Sequence, residues 1–160
     1  MLTRLSVKCA ILALCICLVI FGTSPQSRAE DTLTPLSEYI PKNDLNDSGT
    51  VLYVYDRCEA MFMALVISTK NSNNPTSDTF VANARNAYQQ LAMAAAQVML
   101  KSTKDPNAAL TEHTDIIKKL LARYQNHIEE LYVSGGDFEK DKLVGQDMLI
   151  CAAIWHKVKP

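Results

Sequence analysis

From residue 50 onward, apolar side chains return at alternating steps of four and three, the spacing that lines one face of an α-helix. The cleanest stripe is Leu110, Thr114, Ile117, Leu121, Tyr124, Ile128 and Leu131, with Lys118, Lys119, Arg123, Glu129 and Glu130 off it. It predicts a long helix with one buried seam. Asp105-Pro106 supplies an N-cap followed by a first-turn proline, and Gly135-Gly136 supplies the stop. Before it, Val51, Tyr55, Cys58, Phe62 and Leu65 predict a helix over 50–69. The β-branched start of that run does not make it a strand, because it is too long for one. Residues 70–75, KNSNNP, read as a loop. Val81, Ala84, Tyr88, Leu91, Ala95 and Val98 predict a helix over 78–102, with Ser77 or Asp78 as N-cap. The last stripe, Val144, Met148, Cys151, Trp155 and Val158, predicts a helix over 138–157 capped by Asp137.

Four amphipathic helices on short connections predict an all-α fold: an up-down-up-down four-helix bundle over 50–160. Residues 30–49 are polar and proline-containing and read as an irregular N-terminal arm. Thr34-Pro35 caps one expected helical turn there, carrying Leu36, Tyr39 and Ile40 and ended by Pro41. Residues 1–29 have the layout of a cleaved signal peptide. Arg4 and Lys8 precede the apolar run Cys9–Phe21, and Ser27-Arg28-Ala29 places small residues for cleavage after Ala29. The run is about 13 residues, short of the ~20 that cross a bilayer, so membrane contact is expected only through an uncleaved leader.

Cleavage changes the cysteine count. Cys9, Cys15 and Cys17 leave with the leader, and Cys58 and Cys151 remain. An exported chain with two cysteines most simply forms one disulfide. In the predicted bundle the first and last helices are neighbours running in opposite directions. Cys58 lies ~12 Å from the start of one, and Cys151 ~9 Å from the end of the other. The two sulfurs then fall at one height on core-facing stripes. A redox role fits less well, because catalytic thiols favour C-x-x-C at a helix start.

Charge and motifs narrow the function. The whole chain has formal charge −1; without Arg4, Lys8 and Arg28 it has 13 basic against 17 acidic residues, a net of −4. That balance gives no attraction to nucleic acid. There is no G-x-S-x-G, no phosphate-cradling glycine loop, no H-E-x-x-H and no C-x-x-C-H. His113 and His127 lie ~21 Å apart along one helix and cannot share a metal. Met61 and Met63 fall mid-helix, away from the level at which they could join His156 on a haem. No metal, cofactor or catalytic residue is therefore expected. Asp56, Arg57 and Glu59 read as a solvated polar side of the first helix. The other reading is an arginine held by carboxylates for a partner.

One surplus remains. Val54, Met61, Met63, Val66, Leu149 and Ile154 lie off the assigned stripes, so the first and last helices are apolar almost all round. The arm, a second copy of the chain or an envelope protein partner is expected to cover them, in that order. In architecture the chain resembles the plant invertase and pectin methylesterase inhibitors, secreted helical bundles with a packed N-terminal arm, but it lacks their second disulfide. It is similar to small periplasmic acid-stress chaperones in its single helix-linking disulfide. The expected function is that of an exported, periplasmic or secreted, non-catalytic protein that binds a protein or a small apolar ligand. The alternative is a cofactor-bearing electron-transfer protein or envelope enzyme.

Overall fold

The structure, a computed structural model, describes residues 33–69 and 75–158. The leader and most of the 70–75 loop lie outside them. The described residues form an all-helical fold of five α-helices. α1 is a single turn, Leu36–Tyr39, followed by a 3₁₀ turn Ile40–Lys42. The long helices are α2 (Ser48–Thr69), α3 (Pro75–Ser102), α4 (Pro106–Ser134) and α5 (Val144–Val158).

The ends of these helices follow local chemistry. The Asp47 carboxylate accepts from the Thr50 N–H at 2.7 Å, which starts α2 two residues before the predicted position. α3 begins at Pro75, so Ser77 and Asp78 lie inside it and not ahead of its first turn; proline suits a first helical turn, whose N–H has no partner. The Asp105 carboxylate accepts from the Asn107 and Ala108 N–H groups and caps α4 as expected. Gly135, at φ 68°, closes that helix in the left-handed conformation that glycine adopts without penalty. α5 departs from expectation. Residues 138–143 form turns, and the helix starts only at Val144. Asp141, not Asp137, accepts from the Leu143 and Val144 N–H groups at its start. These turns press on the helix so closely that a Cβ at Gly145 would lie 2.6 Å from the Glu139 carbonyl oxygen.

The packing also differs from a ring of four equal helices. α2 packs along both α3 and α4 and touches α5, whereas α3 and α4 barely meet. A helix in the middle must bury more than one face. Val54, Cys58, Ala60, Met61, Phe62, Ala64 and Leu65 of α2 are all buried. That accounts for Val54 and Met61, expected at an accessible surface: both are core. Ala84, Ala87, Leu91 and Ala95 line the buried side of α3, where small side chains allow close approach. On α4 the buried side runs through Ile117, Leu120, Tyr124 and Ile128. Leu110 and Thr114, the head of the predicted stripe, are exposed. The arm contributes Leu33 and Leu36 to the same core. Its turn is capped by the Pro35 carbonyl and not by a Thr34 side chain, and Pro41 sits within the 3₁₀ turn instead of ending the helix before it.

Cys58 and Cys151 are bonded, with Cα atoms 5.2 Å apart and both side chains fully buried. The bridge closes a segment of 93 residues' separation. In the chain-entropy account such a loop stabilises the fold by about 4–5 kcal/mol. A Cys58→Ser/Cys151→Ser variant should lose stability of that order in chemical denaturation, with an unchanged helical spectrum in the absence of denaturant. A loss below ~1 kcal/mol would show that the bridge does not constrain the unfolded chain as argued.

Candidate functional site

α2 carries Asp56-Arg57-Cys58-Glu59, and all four side chains are buried. The solvated polar face expected of Asp56, Arg57 and Glu59 is therefore overturned. With α3, α4 and α5 around α2, no side of this turn is left for water.

Successive positions on a helix point about 100° apart, and the charged residues divide into two clusters. Arg57 enters the first. Its Nη2 donates to Asp147 Oδ2 of α5 at 2.5 Å, and its Nε to the Tyr124 hydroxyl of α4 at 2.8 Å. Nη1 donates to the Thr34 carbonyl of the arm at 2.9 Å and to the Tyr53 hydroxyl at 3.3 Å. Asp147 is equally occupied. It accepts from the Tyr124 hydroxyl, and its Oδ1 accepts from the Leu36 backbone N–H at 2.6 Å. The rings of Tyr53 and Tyr124 face the guanidinium at 5.8 and 5.4 Å, a cation–π arrangement. Burial alone would lower the Arg57 pKa; Tyr124 and Asp147 outweigh it and hold the guanidinium protonated. The Tyr124 hydroxyl is driven well above its ordinary range by burial and by the adjacent Asp147 carboxylate. Each nitrogen of Arg57 and both oxygens of Asp147 thus bond to another part of the chain.

The second cluster is less complete. His113 of α4 stands between two acids of α2, with Nδ1 3.0 Å from Asp56 Oδ1 and Nε2 3.7 Å from Glu59 Oε2. The Asp56 contact is an ion-pair distance but is poorly aligned for a hydrogen bond. Asp56 Oδ1, Glu59 Oε2 and His113 Nδ1 are consequently buried without a well-aligned hydrogen bond. Burial raises the Asp56 carboxyl and pushes Glu59 up to about 7, and the Asp56 carboxylate raises His113. A third contact, His127 Nε2 to Asp141 Oδ1 at 3.1 Å, ties α4 to the turns before α5. Burial works against the ionised form of Asp141, but the Val144 N–H and His127 outweigh it and lower its pKa.

A separate groove of about 500 Å³ lies where α3 passes the end of α5. Tyr55, Met93, Ala94, Val98 and Val158 give it apolar walls; Gln90, Gln97 and Lys101 give it polar ones. The Trp155 indole N–H donates to Gln90 Oε1 at 2.7 Å and joins the two helices beside it.

The residues singled out from the sequence do not form one surface. Val54 and Met61 are core, Met63, Val66 and Ile154 are half-buried, and only Leu149 is open, at 69% exposure. Sequence reasoning missed Asp147, Tyr53 and the Thr34 carbonyl. It placed Tyr124 only as a core residue. A signal for Asp147 was present: it lies three residues after Val144 and four before Cys151, on the buried stripe itself. Arg57 is the neighbour of Cys58, so the disulfide delivers the pair to each other. Among the described residues no group of three or more His, Cys, Asp or Glu is placed to hold a metal. No described helix is long and apolar enough to cross a membrane. The chain matches no protein-family model, no curated protein and no solved structure.

Two outcomes follow from the clusters. Removing one partner of a buried pair strands the other charge, so Asp147→Ala should cost about 3–5 kcal/mol in denaturant unfolding. Arg57→Met combined with Asp147→Leu should be less damaging than Asp147→Ala alone, and a double variant worse than the single one would refute the assignment.

The second outcome concerns pH. Asp56, Glu59 and His113 all have raised folded pKa values, so the native state holds protons that the unfolded chain releases. For Glu59 the stabilisation is complete below its ordinary 4.5 and is lost as pH rises through about 7. For His113 it is present below 6.5 and lost above that. Stability should therefore fall from about pH 5 to pH 8, with Glu59 contributing on the order of 3 kcal/mol. Glu59→Gln should flatten the profile; a wild-type denaturation midpoint that rises over this range would contradict the linkage.

Proposed function

We propose that this is an exported, non-catalytic binding protein, and that it takes small apolar ligands carrying an acidic group. The observation that carries this reading is the groove beside α3, with five apolar walls and the Lys101 ammonium on its polar side. Its volume lies in the range of small-molecule sites, which combine apolar lining with a few polar groups that set orientation. Met93, 57% exposed, provides an adaptable apolar contact.

Arg57 fits this reading by its commitments. Four of its five N–H groups are taken by Asp147, Tyr124, Tyr53 and the arm, so it serves to organise the fold. Export is supported by the leader's composition and by the Cys58–Cys151 bridge, since such bonds persist in oxidising compartments. The four long helices are best read as a bundle variant organised around α2.

Fluorescence titration with 1-anilinonaphthalene-8-sulfonate, and competition by dodecanoate, tests the proposal. Both should bind in the micromolar range. Met93→Glu and Lys101→Glu should each weaken them about tenfold or more, a loss of ~1.4 kcal/mol. Tyr132→Ser, at an exposed position on α4, should leave them unchanged. Failure of either probe to bind below millimolar concentration, or indifference to Met93→Glu, would overturn the assignment.

A further inference from the structure

We propose that His113 is a proton-operated latch that holds the first three turns of α4 against α2. None of the residues from Pro106 to Ile116 is buried, and Leu110, which would otherwise anchor this part, is 57% exposed. Only Ala109, His113 and Ile116 are even half-buried. Beyond this stretch α4 changes character, because Ile117, Leu120, Tyr124 and Ile128 lock it into the core. Among the described residues, the start of the helix therefore has one polar attachment to α2, the imidazole between Asp56 and Glu59.

Both ring nitrogens face a carboxylate, an arrangement that suits the imidazolium, which donates from both. From α2 the facing charged groups are Asp56 and Glu59. On α4 itself, Glu112 and Asp115 are exposed, and among the described residues no charged group of α3, α5 or the arm forms an ion pair with the three. With the proton in place, one positive charge sits between two acids in a largely dry site. When His113 gives that proton to solvent through its partly open edge, two acids face a neutral ring and each other. The three poorly aligned atoms, Asp56 Oδ1, Glu59 Oε2 and His113 Nδ1, then gain most by reaching water. The route to water is for the first turns of α4 to lift, since the core contacts that could oppose this begin at Ile116 and Ile117.

Amide hydrogen exchange read by mass spectrometry tests the latch. Protection, corrected for the intrinsic pH dependence of exchange, is compared at pH 5.5 and pH 9 for residues 110–116 and 120–132. The first segment should lose about tenfold or more in protection beyond whatever the second loses through the fall in global stability, as expected of local opening. His113→Gln should be poorly protected over 110–116 at both pH values, and Asp56→Asn/Glu59→Gln well protected at both. Three results overturn the proposal: no change in the wild type, an equal change in both segments, or a pH step that survives in His113→Gln. The wild-type comparison decides by itself should a variant not fold.

Discussion

The structure depends on one buried ion pair. Arg57 and Asp147 are both fully buried, and between them they hold four parts of the chain: the arm, α2, α4 and α5. Desolvating two charges costs several kcal/mol each, and that cost is offset only when nearly every donor and acceptor finds a partner. Here the remaining sites go to Tyr124, Tyr53, the Thr34 carbonyl and the Leu36 N–H. The pair sets which parts of the chain meet more than it adds stability. An apolar core would hold Leu36 in many registers, whereas a carboxylate accepting one backbone N–H holds it in one.

The disulfide and the ion pair act together. Cys58 follows Arg57 directly, and Asp147 lies one helical turn before Cys151. The covalent link brings α2 and α5 within reach, and the charges fix how they rotate against each other. The arm is then drawn in by its backbone, which explains how a polar lead-in packs as part of the core. α2 is the helix that all of this surrounds, and it is buried on nearly every side.

The second cluster presents the opposite case. Asp56, Glu59 and His113 are buried as well but are not fully bonded. A satisfied polar network rigidifies its surroundings, and a partly satisfied one concentrates the cost of burial in a few atoms. The neighbouring residues Asp56 and Arg57 therefore serve different ends on the two sides of one helix turn. One secures the fold, and the other leaves part of α4 responsive to protons. The groove at α3 is separate from both clusters.

Much of the architecture was legible in the chain. Period placed α2, α3 and α4 to within a few residues, and the Asp105 cap and Gly135 stop placed the ends of α4, because 3.6-residue repetition and local side-chain bonds are properties of short stretches. The Cys58–Cys151 bridge was legible too, from an even cysteine pair on two core-facing stripes. The late start of α5 was not. Asp137 and Asp141 are both plausible caps, and packing of the 138–143 turns on Gly145 decided between them. Nor could the burial of Asp56, Arg57 and Glu59 be read from the sequence. A charged triplet on a helix is normally solvated, and only partners from distant parts of the chain make its burial tolerable. The sequence by itself determined the long helices, some of their ends and the covalent link. The tertiary structure alone decided that α2 is central, that Arg57 finds Asp147 and that His113 finds two acids, because burial and charge pairing depend on which surfaces meet.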